Sequence, residues 1–164
     1  KDEIRAVSRP PQPVPATLPE TAKRISGLKW ELSDNWIGLK AISFNFSSNA
    51  NEAGIEMEFH YAQRQSQWGK MARVQPGKLL TEKRLAGLDG VPRISGNGQM
   101  NLPVALKGQW IDSYSFALEY DEIANTNTYQ LLFKFDGDKL SVQAKERTGL
   151  FNEMLTGKLA SGGK

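Results

Sequence analysis

Apolar and polar residues alternate with a period of two along most of this chain. Leu28, Trp30 and Leu32 are separated by Lys29 and Glu31, and Ile42, Phe44 and Phe46 by Ser43 and Asn45. Ile55, Met57, Phe59 and Tyr61 are separated by Glu56, Glu58 and His60. The pattern returns in Phe116, Leu118 and Tyr120, in Tyr129, Leu131, Phe133 and Phe135, and in Leu140, Val142 and Ala144. Successive side chains of a strand point to opposite faces, so each run predicts a strand with one buried and one wet face. Weaker strands are predicted around residues 65–71, 91–94, 107–111 and 152–159. Helical periodicity is faint throughout, and residues 79–88 are the best candidate for one or two helical turns.

Turn residues punctuate these runs. Asp136-Gly137-Asp138 is the clearest hairpin signal, and Ser47-Ser48-Asn49-Ala50-Asn51 and Ala124-Asn125-Thr126-Asn127 separate two further pairs. About eight to ten short strands joined by short loops predict an all-β closed antiparallel up-and-down barrel, with a sandwich as the alternative. Closure removes exposed edges, which favours the barrel.

Five of the eight prolines fall between Pro10 and Pro19, in a stretch that fixes φ and lacks donors, so residues 1–24 are predicted to be an extended linker. The barrel is placed at residues 25–160 and a flexible tail at 161–164. Beginning at Lys1 with neither an initiator Met nor an apolar leader, the sequence reads as a piece or a processed product.

Net charge is +3, but five bases and three acids lie within residues 1–24, so the remainder carries about +1 with bases and acids interleaved. A nucleic-acid partner is disfavoured, since it would ask for a basic stripe. No run approaches the roughly 20 apolar residues of a spanning helix. The absence of cysteine excludes disulfides and thiolate metal sites.

Candidate chemistry is sparse. Ser26-Gly27-Leu28-Lys29, Ser33-Asp34-Asn35 and Arg147-Thr148-Gly149 imitate the three motifs of serine β-lactamases and penicillin-binding proteins. That mechanism needs the serine and lysine one helical turn apart, whereas these four residues open an alternating run, where positions three apart face opposite ways. The triplets are read as coincidence and no catalytic residue is assigned. His60, the one histidine, falls at an outward position and is read as a surface residue. Asp121-Glu122 and Asp136/Asp138 fall short of a calcium ligand set, and Asp at hairpin tips serves turns, so no metal and no cofactor is expected. Trp30, Trp36, Trp68 and Trp110 could line a pocket but are expected to pack the barrel interior and plug its ends. Trp36 and Trp68 fall outside the clean runs, and with Arg73 and Lys78 they are the candidate partner or ligand contacts.

Several segments, in order, carry a family likeness. Arg24-Ile25-Ser26-Gly27 leads into Trp30-Glu31-Leu32 and Gly38-Leu39-Lys40-Ala41-Ile42. Gly87-Leu88-Asp89-Gly90-Val91-Pro92-Arg93 follows, then Leu102-Pro103-Val104-Ala105-Leu106-Lys107-Gly108-Gln109-Trp110 and Phe116-Ala117-Leu118-Glu119-Tyr120-Asp121-Glu122, and finally Glu146-Arg147-Thr148-Gly149. This order resembles the C-terminal β-barrel appended to bacterial serine hydrolases of the β-lactamase and penicillin-binding-protein-like superfamily. The resemblance implies a lipocalin-like barrel in an extracytoplasmic bacterial protein whose nucleophile lies upstream of Lys1. It implies a non-catalytic domain that packs on its own hydrolase domain and shapes substrate access, with residues 63–83 as the projecting loop. The stretch 63–84 departs from the family pattern in being longer and more basic. The alternative is a lipocalin-like carrier of a small apolar ligand. It is disfavoured by the many large inward candidates (Trp30, Phe44, Phe46, Phe59, Phe116, Phe133), which predict a filled interior.

Overall fold

The alternating runs become walls whose apolar alternates point to a common interior. The computed structural model describes residues 18–35, 37–46, 51–60, 79–96, 103–123, 128–149 and 151–161. A helix α1 (Glu20–Ile25) precedes β1 (Lys29–Leu32), β2 (Leu39–Phe46), β3 (Glu52–His60), β4 (Leu79–Gly87), β5 (Arg93–Ser95), β6 (Val104–Trp110), β7 (Ser115–Glu122), β8 (Thr128–Asp136), β9 (Lys139–Glu146) and β10 (Asn152–Leu159). One sheet runs β4-β3-β2-β1-β10-β9-β8-β7-β6-β5, and a further pairing of β4 with β6 closes it. Nine strands therefore wall the barrel, and the three-residue β5 pairs antiparallel with β6 beside the seam. Neighbours are antiparallel except at that seam, where Gly87 meets Lys107 in parallel. The fold is the expected closed barrel, with one parallel contact added.

Antiparallel register assigns each strand end to one of two rims. Phe46, Trp110, Phe116 and Phe135 lie toward the base, where α1 leads into β1. His60 pairs with Leu79, Val104 with Glu122 and Tyr129 with Glu146 at the opposite, upper end. Pro19 stands at the N-cap in an extended conformation, Glu20 in the first turn and Lys23 and Arg24 in the last suit the helix dipole, and Gly27 at φ 78 ends the turn. Ala22 and Ile25 are buried in the core, so α1 belongs to the fold although its first five residues lie within the stretch expected to be linker.

Residues 79–88, the helical candidate, are instead strand β4 with its full length paired to β3. The last five residues of the expected loop 63–83 are thus wall, and deleting 65–83 would remove half of β4. The strands expected near 91–94, 107–111 and 152–159 are present, the last with its expected bounds. The one expected near 65–71 lies outside the described residues. At Asp136-Gly137-Asp138 the chain turns as expected, with Gly137 at φ 59.

Close packing reserves the inward position 108 for glycine. A Cβ on Gly108 would stand 2.4 Å from Cζ of Phe116 and 3.1 Å from Leu88 Cδ2. Gly108→Ala is expected to lower stability by about 2 kcal/mol through overpacking, read as a fall in thermal midpoint; an unchanged midpoint would show that the Phe116 ring yields freely.

Candidate functional site

Inward residues change character from base to upper end. At the base, rings from facing walls meet across the lumen. Phe44 on β2 lies 5.0 Å from Phe133, 5.7 Å from Phe116 and 5.7 Å from Phe135 by ring centroids, all edge-on. Trp30 reaches Phe135 at 5.5 Å, and Phe46 reaches Trp110 and Phe116 at 5.4 and 5.3 Å. Edge-to-face packing at these distances fills the space, so this half is a solid aromatic floor. The expected inward packing of Trp30 and Trp110 and the filled interior hold here.

Above the floor the alternation continues but the chemistry changes. On β4 the inward positions are Glu82, Arg84 and Ala86, and on β7 they are Phe116, Leu118, Tyr120 and Glu122. On β9 they end with Glu146, and on β8 they begin with Tyr129. Glu82 and Arg84 face each other at 3.4 Å with side chains only 7% and 6% exposed. The Tyr120 hydroxyl donates to Glu82 Oε2 at 3.3 Å, and its ring meets Tyr129 at 6.4 Å. Arg84 Nη1 donates to Ser95 Oγ and to the Gly96 carbonyl, both at 2.9 Å. A buried ion pair balances its desolvation only when such extra bonds complete it. The opposite arc of the upper rim is apolar, from Leu32 and Leu39 to Phe59. The upper interior is therefore two-faced: carboxylate, guanidinium and hydroxyl on one side, hydrocarbon on the other.

Arg84 also has a mechanical part. Backbone pairing between β4 and β6 is a single residue pair, and β5 fills the rest of β6's edge. The guanidinium of Arg84 spans from β4 to β5 where the ladder lapses. At the base side of this seam, Arg93 does the same. It donates to Asp89, to Glu52, to the Val91 carbonyl at 2.7 Å and to the Asn51 carbonyl at 3.1 Å. The Arg93 hydrogen bond holds the Asp89 carboxyl below its ordinary range against the opposing effect of burial, and Asp89 with Glu52 raises Arg93 in turn. Gly87 is needed in this staple because a Cβ there would stand 1.8 Å from the Val91 carbonyl oxygen.

The imitated hydrolase triplets are all structural. Ser26 Oγ accepts from the Phe46 amide at 2.9 Å, while Lys29 Nζ pairs with Glu58 at 2.7 Å, so the two form no dyad. Asn35 builds the β1–β2 turn by bonding the Ser33 and Leu39 carbonyls and the Leu39 amide. Thr148 and Gly149 form the β9–β10 turn, where the Thr148 amide donates to Glu146 at 2.9 Å and Gly149 has φ 83. His60 occupies the alternate position to inward Phe59, as expected. The four candidate contacts Trp36, Trp68, Arg73 and Lys78 lie outside the described residues. Sequence reasoning missed Glu82, Arg84, Tyr120 and Tyr129 as a group. The sequence carried little signal for them, because Thr81-Glu82-Lys83-Arg84 is polar without a break and no alternation marks which of the four face inward.

No family model and no curated protein matches the sequence. The fold is matched by solved structures, among them a Schistosoma mansoni fatty acid binding protein in complex with arachidonic acid, at 12% identity and a TM-score of 0.51. The REP1-NXSQ fatty acid transporter matches at 10% identity and a TM-score of 0.53. Each match covers 85% of this chain and 98% of the other. At such identities the likeness is one of fold, and that fold is all-β, closed and lipocalin-like.

Proposed function

We propose that this chain is a non-catalytic binding protein that seats a small amphipathic molecule in the upper half of its barrel. The polar part of the ligand faces Glu82 and Tyr120, and its apolar part faces the Leu39–Phe59 arc. The observation that carries this reading is the inward Glu82–Arg84–Tyr120 cluster standing above an aromatic floor. An interior needed only for stability gains little from a buried ion pair, because well-packed hydrocarbon serves as well or better. Stitching the seam accounts for Arg84 with Glu82 as its counter-ion, but not for a charged cluster at a place where packed hydrocarbon would serve the wall as well. The fold shared with a fatty acid binding protein and a fatty acid transporter supports the carrier reading, which the sequence had placed second. The hydrolase-appended reading, with its extracytoplasmic setting, rests on the ordered sequence segments alone. Of these, Gly87 to Arg93 has a sufficient structural reason in the Arg93 staple. The two readings are compatible, since an appended barrel can bind a ligand.

The test is fluorescence titration with N-phenylnaphthylamine, a neutral amphipathic probe. Saturable low-micromolar binding with a blue shift is expected. Tyr120→Phe removes one hydroxyl from the site and should weaken binding about fivefold, the worth of roughly one hydrogen bond. Emission that rises linearly with probe and never saturates would sink the proposal.

A further inference from the structure

The neighbour in fold holds arachidonic acid, a long flexible acyl chain. The interior of this barrel argues for a different class of occupant. From the aromatic floor and the polar cluster, we infer that the ligand is compact and neutral-headed: a short-chain or ring-sized molecule bearing a hydroxyl or amide. This deepens the carrier reading and rests on it.

Depth is the first reason. A nine-residue strand such as β3, at roughly 3.3 Å per residue and tilted by about 40°, gives a wall roughly 20 Å high. Phe44, Phe116, Phe133 and Phe135 close the lumen across its lower part with centroids 5.0 to 5.7 Å apart. Only the upper part remains for a ligand, roughly 10 Å of wall. A fully extended long acyl chain would have to displace those rings from an interior packed to crystal-like density.

Charge is the second reason. The inward charges placed furthest down the upper half are Glu82 and Arg84, which already face each other at 3.4 Å. Nearer the rim the inward Glu122 and Glu146 are also buried, so carboxylates outnumber the one inward guanidinium among the described residues. An anionic head would have to draw Arg84 away from Glu82 and from its bonds to Ser95 and Gly96 across the seam. A neutral head that hydrogen-bonds to the Glu82 carboxylate and the Tyr120 hydroxyl brings no unbalanced charge into a buried site.

The experiment is displacement of bound N-phenylnaphthylamine by straight-chain alcohols from hexanol to hexadecanol, with arachidonic acid alongside. While the chain still has room, each added methylene should tighten binding about fourfold. The expected result is that this gain stops between octanol and dodecanol, and that arachidonic acid displaces the probe more weakly than decanol does. Phe133→Leu, checked by its melting curve to be folded, should shift the break to longer alcohols. An unbroken gain through hexadecanol, tighter displacement by arachidonic acid, or a break unmoved in Phe133→Leu would each overturn the inference while leaving the carrier reading standing. Failure of the probe and of every alcohol to bind would instead remove the carrier reading itself, and the inference with it.

Discussion

Phe44→Ala is expected to destabilise the barrel by about 4 kcal/mol, a fall in Tm of roughly 10 °C for a chain of this size. Phe44 is 1% exposed and touches four other rings: Phe46, Phe116, Phe133 and Phe135. Removing it deletes its own transfer energy and strands its partners on the rim of a void. Those partners sit on β2, β7 and β8, which are tied into full-length ladders, so the walls have little freedom to collapse inward. Phe44→Leu, which keeps most of the volume, should lose about a third as much. Chemical denaturation of both variants checks the pair. A loss below about 1 kcal/mol for Phe44→Ala would mean the rings repack readily, and the floor would no longer limit how deep a ligand can go.

The second large effect belongs to Arg93. Arg93→Met keeps the aliphatic stem but removes the guanidinium that ties Asp89, Glu52 and two backbone carbonyls together. Asp89, whose side chain is 5% exposed, is then left buried without its main partner. Breaking a fully buried pair can cost about 3–5 kcal/mol, but Arg93 itself is partly exposed, so a loss of about 2 kcal/mol is expected at neutral pH. The pH dependence follows from the lowered pKa of Asp89 in the folded protein. A depressed carboxyl stabilises the fold above its unfolded pKa, and that contribution drains away as pH falls through the folded value. The gap between wild type and Arg93→Met should therefore be widest at about pH 7 and much narrower at about pH 3, as measured by urea midpoints. A gap of equal size at both would show that Asp89 ionisation has no part in the staple.

Most of the wall was legible because strands β2, β3 and β8, and β7 and β9 up to their last inward residue, obey the two-residue rule with hydrocarbon inside. Strand β4 was not, because it inverts that rule. Its inward positions carry Glu82 and Arg84, while Leu85 points outward at 51% exposure. With Leu79, Leu80, Leu85 and Leu88 as the visible apolar residues, the segment offered a helical spacing that its partner β3 overrides by pairing along its entire length. The same inversion hid the candidate site, since a pattern search for buried residues passes over charged ones. Such breaches of local consistency gather where a protein does something other than hold itself together. The boundary near residue 24 failed for another reason: six residues of helix are too few to show a period, and only the burial of Ala22 and Ile25 reveals that they belong to the fold. Tyr120 and Tyr129 were each read as wall residues; their shared level became visible only with the β7–β8 register.

Both described chain ends leave from the same side of the molecule. Helix α1 enters β1 at the base, and the Ala160 amide bonds the Lys29 carbonyl there at 2.9 Å. Anything joined through either end, whether a fusion tag, a surface tether or a hydrolase reached through the proline-rich stretch, would hang beneath the plugged face. The Glu82–Arg84–Tyr120 cluster would then lie on the side away from the attachment, with the aromatic floor between the two.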